Sequence, residues 1–114
     1  MASAQSNAGR PVAVGFISVS SSADIFEISA TVEPRSSGPA EVKATLSVMK
    51  KDASGNVVTR QAKSIEITKD RLVEIARTSV SMGLDGLLEV SLIIEENGDV
   101  VDRVTHTVSR NRLE

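Results

Sequence analysis

The stretch LLEVSLIIEENGDVVDRVTHTV, Leu87 to Val108, decides the fold class. Two alternating apolar runs flank Asn97-Gly98. That dipeptide is a strong hairpin signal, because a type I′ turn needs positive φ at both central residues. Leu88, Val90, Leu92 and Ile94 share one parity, and an extended chain puts them on one face. Glu89, Ser91 and Glu95 take the other. After the turn, Val104 and Val108 continue the apolar face, while Arg103, Thr105 and Thr107 read as solvated. This alternation belongs to antiparallel sheets with one wet face. The chain is therefore expected to be all-β.

The same pattern extends towards the N-terminus. Ile25 to Val32 alternates, with Phe26, Ile28, Ala30 and Val32 inward. Glu41 to Lys51 does so with Val42, Ala44, Leu46 and Val48 inward and Lys43, Thr45 and Ser47 outward. Val12 to Val19 reads as a first strand with a bulge or weak point at Gly15. Ser20 to Asp24 reads as a turn, and Glu33 to Pro39 as a loop whose prolines bar a helix or a central strand. Asp52 to Asn56 is turn chemistry. In Val57 to Ile67, Val58 and Ala62 disagree in parity with Ile65 and Ile67, so a bulge or a change of sheet is expected near Ser64. Thr68 to Met82 has a helical competitor, since Leu72, Ile75, Ala76 and Val80 roughly fit a 3.6-residue period. The strand reading is preferred there because its neighbours are strands. Gly83 to Gly86 turns into the last hairpin. About seven short strands at regular spacing predict an antiparallel β-sandwich.

Length and composition bound the function. A chain of 114 residues makes one domain. The expected layout is a disordered tail over 1–11, the sandwich over 12–110 and a disordered end over 111–114. Met1-Ala2 and Leu113-Glu114 read as residues added for expression, so that a natural signal peptide would lie outside this sequence; Met1 to Arg10 itself has no apolar core segment. Thirteen basic against fifteen acidic residues, a net charge of -2, argue against nucleic acid. Two Phe, no Tyr and no Trp argue against ligands held by stacking. The absence of Cys excludes disulfides and thiolate metal sites. No apolar run approaches the roughly 18 residues of a membrane helix. Neither cofactor nor metal is expected, and the chain is expected to be a monomer.

Three groups of polar residues invite functional readings. His106, the only imidazole, shares parity with Val104, Val108 and Asp102, and reads as a core or rim histidine. No nucleophile elbow accompanies it, so no catalytic residue is assigned. Glu95, Glu96, Asp99 and Asp102 crowd one hairpin tip but lack the ordered spacing of a calcium loop, and read as a solvated acidic turn. Lys43, Lys50, Lys51, Arg60 and Lys63 concentrate positive charge on the hairpin around Gly55. Lysines guard sheet edges against pairing. They also form a basic patch that attracts an acidic or polar partner.

From Phe16 to Val108 the chain resembles the curli assembly inhibitor family CsgC/CsgH. The shared features are Ile25-Phe26-Glu27-Ile28, the loop Ser36 to Val42, a Lys-rich hairpin with a Ser-Gly tip (Lys50 to Asn56), Lys63 to Ile67, Leu72 to Met82 and Val90 to Ile94. CsgC proteins carry Cys-x-Cys where this chain has Gly38-Pro39-Ala40, so the resemblance is to the Cys-less CsgH branch and leaves no redox role. It implies an immunoglobulin-like (fibronectin-III-like) seven-strand sandwich in the periplasm. It also implies a non-enzymatic task, keeping the major curli subunit from forming amyloid, with Lys43, Lys50, Lys51, Arg60 and Lys63 as candidate client contacts. The alternative expectation is a structural or adhesive fibronectin-III-like module.

Overall fold

The computed structural model describes residues 12–35 and 38–110. The expected tails, 1–11 and 111–114, lie outside that range, as do Ser36 and Ser37 of the resemblance loop. Seven strands form among the described residues: β1 (Ala13–Ser22), β2 (Ile25–Pro34), β3 (Ala40–Asp52), β4 (Gly55–Ile67), β5 (Val73–Ser81), β6 (Gly86–Glu96) and β7 (Asp99–Arg110). They pair antiparallel in two sheets, ordered β1-β2-β5 and β4-β3-β6-β7. This three-on-four layout is an immunoglobulin-like sandwich.

The last hairpin forms as its residues predict. Asn97 has φ 54 and Gly98 φ 86, the two positive values a type I′ turn demands. Leu88, Val90, Leu92 and Ile94 are fully buried, opposite Val108, His106, Val104 and Asp102. The inner faces of β2 and β3 supply most of the remaining core, including Ile28, Val32, Val42, Leu46 and Val48, and Ala13, Ile65, Ile67, Ile75, Ala76 and Met82 complete it. Each such side chain contributes about 1.5–3 kcal/mol on leaving water.

Several expectations are corrected. β1 runs on through Ser22, because the serines pair in register with β2; the turn is Ala23-Asp24, with Ala23 at φ 56. No bulge occurs at Gly15, whose pairing with Val32 lies in an unbroken register. Glu33 and Pro34 belong to β2, a central strand. Pro34 is tolerated because β5 already ends opposite Val32, so its missing N–H interrupts no ladder on that side. β4 has no bulge near Ser64: it pairs with β3 without a break from Ala40↔Ile67 to Asp52↔Gly55. The irregularities fall elsewhere. Ile75 is an extra residue in β5 between the pairs Ala30↔Ala76 and Thr31↔Glu74. Val101 is the extra residue in β7, between Ile94↔Asp102 and Glu95↔Val100.

Candidate interaction surface

The sandwich is closed along one side. There β1 lies against β6 and β7. Gly15 permits the approach, since a Cβ on it would sit 2.6 Å from Leu92 Cδ2 and 3.1 Å from Ile94 Cδ1. Its N–H donates to Asp102 Oδ2 at 2.7 Å. One sheet's edge strand is thereby tied to the other's, and an edge so covered is withdrawn from pairing with other chains.

The other side is open, and β4 forms its border. Residues 55–64 are exposed on both faces of the strand. On β3, Ala44, Leu46 and Val48 are buried, yet their partners on the same face of β4, Lys63, Gln61 and Thr59, are exposed. The core therefore ends between β3 and β4. Only Ile65 and Ile67, at the end of β4 that leads towards β5, return to it. Val57 and Val58 remain 43% and 66% exposed. A long edge with apolar side chains and free backbone groups is competent to pair with another strand.

The charges around this edge divide by parity. Lys43, Lys51 and Arg60 lie on the outer face of the four-stranded sheet, and Lys63 on the inner face of the overhang. None of the four forms an ion pair among the described residues. Lys50 does not join them, which corrects the expected set of contacts. It follows Val42, Ala44, Leu46 and Val48 in inward parity and is 8% exposed, with Nζ 3.3 Å from Asp52 Oδ1. A lysine held in this way has its charge already engaged by Asp52 and little surface to offer.

Asp52 is the hub of that anchor. Its Oδ1 accepts from the Ser54 hydroxyl at 2.6 Å and the Ser54 N–H at 2.9 Å, and its Oδ2 accepts from the Gly83 N–H at 2.9 Å. The Ser54 hydroxyl above all, then the Gly83 N–H, hold its carboxyl well below the usual carboxylate range; burial opposes them, and the Ser54 N–H and Lys50 assist. The Gly83 bond pins the β3–β4 turn to the loop between β5 and β6, which fixes the base of the projecting hairpin. Sequence reasoning missed this node. Its signals were the parity of Lys50 and the Asp52-x-Ser54 spacing of an Asx turn.

The other candidates do not assemble a site. His106 lies opposite Val90 in core-facing parity but is exposed, which makes it a rim residue. Asp102 sits four residues back, about 13 Å along an extended strand, and its carboxylate holds the Gly15 N–H. Glu95, Glu96, Asp99 and Asp102 do not converge: no three metal-ligating side chains come together among the described residues. A shallow depression lined by Glu41, Lys43, Ser64, Glu95, Asn97 and Gly98 mixes both signs of charge.

No family model and no curated protein sequence matches the chain. Solved structures do. The E. coli curli protein CsgC superposes with a TM-score of 0.71 at 11% identity, over 82% of this chain and 96% of that one. The fold is CsgC/CsgH-like. R. palustris CsgH gives 0.61 at 10% identity, over 85% of this chain and 91% of its own. A β-glucuronidase from Bacteroides uniformis gives 0.62 at 13% identity, over 88% of this chain but only 14% of the enzyme. There the sandwich is a small part of a much larger chain. At such identities the likeness is one of fold.

Proposed function

We propose that the chain is a non-enzymatic periplasmic inhibitor of amyloid formation by the major curli subunit, acting through transient non-covalent contacts. The observation that carries this reading is the CsgC/CsgH-like fold, matched along 96% and 91% of those two chains. The open side of the sandwich supports it. Lys43, Lys51, Arg60 and Lys63 flank an accessible strand edge and offer unpaired positive charge to an acidic or polar client. Cross-β assembly adds strand to strand. A contact that occupies a client strand briefly, and then releases it, delays nucleation without consuming the inhibitor. The test is a thioflavin growth curve of a curli subunit with a small molar fraction of this protein. A longer lag is expected, and an unchanged lag and plateau would remove the reading.

The β-glucuronidase match favours a second reading, a structural module within a larger assembly. It predicts stable binding to a folded partner and no effect on fibril growth, so the same assay separates the two.

A further inference from the structure

The sheet β1-β2-β5 has one strand fewer than the sheet it faces. With β1 set against β6 and β7, the shortfall falls beside β5, above the inner face of β4. Val57, Thr59, Gln61 and Lys63 all point into this open strip and are exposed. On the facing sheet, Thr78 and Val80 of β5 have core-facing parity, opposite Ile28 and Phe26, but are only half-buried. Packed sheets stand about 10 Å apart, and neighbouring strands about 4.8 Å. One extended chain beside β5 would therefore lie over the overhang of β4 as a facing strand does. From Val57 to Lys63 the strip is about 20 Å long at roughly 3.3 Å per residue, enough for a short strand.

We infer that this strip is a docking slot in which an extended segment of a partner polypeptide adds a fourth strand to β1-β2-β5 and covers the inner face of β4. Its lining selects the occupant. Thr59 and Gln61 carry polar side chains with no hydrogen bond among the described residues. Lys63 has no ion pair there. A purely apolar strand would desolvate all three without compensation. The occupant is accordingly a segment of small and amide side chains with one carboxylate facing Lys63. The free edge of β5 supplies main-chain hydrogen bonds, and the side chains of β4 supply the selection. This deepens the reading above, on which the natural occupant depends, and it places the client's strand on β5 with β4 as its cover.

The test uses the full chain and two synthetic dodecapeptides of Gln, Asn and Ser. One carries a central Glu, and the other carries Lys at that place. With excess Glu peptide, hydrogen exchange should slow at those amides between Val73 and Ser81 that point away from β2, and the Lys peptide should bind about fivefold more weakly, as expected for one exposed ion pair. In Lys63→Glu, an exposed substitution expected to leave the melting temperature unchanged, the preference should reverse. Unprotected β5 amides with both peptides, or an unreversed preference in Lys63→Glu, would overturn the slot. Fibril inhibition with unprotected β5 amides would overturn the slot and leave the inhibitor reading standing. Protected β5 amides without fibril inhibition would do the opposite.

Discussion

Substituting Gly15→Ala probes the closed side of the sandwich. The added Cβ would stand 2.6 Å from Leu92 Cδ2, 3.3 Å from Leu92 Cγ and 3.1 Å from Ile94 Cδ1. Both neighbours are fully buried, so neither can swing into solvent. The strand must lift or the core must repack, which costs about 1–3 kcal/mol. Replacing glycine also restricts the unfolded chain and returns about 0.4–1 kcal/mol. Taken at mid-range, the net loss is about 1.3 kcal/mol, with a fall in melting temperature of roughly 4–8 °C per kcal/mol for a domain near this size. With no Trp or Tyr in the chain, unfolding is best followed by far-UV circular dichroism in urea and on heating. Leu92→Ala alone should cost about 2–5 kcal/mol through its cavity. Combined with Gly15→Ala it should cost less than the sum, since the new methyl fills space that the leucine left. Coupling of this kind is commonly 0.5–3 kcal/mol in size. A Gly15→Ala protein as stable as the parent, or strictly additive losses in the double variant, would refute the close approach of β1 to β6.

Three further outcomes are expected. Asp52 is depressed in the folded state, so its contribution is complete above the ordinary carboxylate range and fades as pH falls below about 4; the stability gap between the parent and Asp52→Asn should narrow over that interval in acid titrations followed by circular dichroism. Gly98→Ala, at φ 86, should lower stability by about 1–2 kcal/mol in urea unfolding, because a Cβ is disfavoured in the left-handed region. Lys50→Met should lower the melting temperature by stranding Asp52, yet leave inhibition per folded molecule unchanged in growth curves, whereas neutralising Lys43, Lys51, Arg60 and Lys63 together should weaken inhibition, as should raising ionic strength until the Debye length falls to about 3 Å.

Much of the architecture was legible where a strand has a dry face and a wet one. β2, β3 and β6 alternate cleanly because each is covered on one side only, and Asn97-Gly98 carries its own turn geometry. Legibility failed where that condition fails. The overhang of β4 is wet on both faces, so Val58 and Ala62 point outward from a regular strand and carry no parity signal. In β5 the bulge buries Ile75 and Ala76 side by side, and adjacent buried residues imitate a helical period. Leu72, which completed that imitation, is 62% exposed in the connection before the strand. Gly15 looked like a weak point because a glycine's absent side chain does not announce what packs into its place. Of the candidate contacts, Lys43, Lys51, Arg60 and Lys63 are exposed, as their charge and turn-flanking positions suggested. Lys50 was misplaced because its charge was weighed above its position in the alternation. The open strip beside β5 could not be read at all, since it depends on how many strands each sheet receives.

On the function proposed above, the protein delays amyloid assembly through the open side of its sandwich without altering any covalent bond. The most direct measurement runs curli subunit growth curves beside the parent protein and a Lys43, Lys51, Arg60 and Lys63 variant with all four charges reversed, and then weighs the recovered subunit by mass spectrometry. The expected result is a lag lengthened by the parent alone and a subunit of unchanged mass. Equal lags with both proteins would mean that the open side does not act on the subunit, and a cleaved or modified subunit that the protein acts by covalent chemistry.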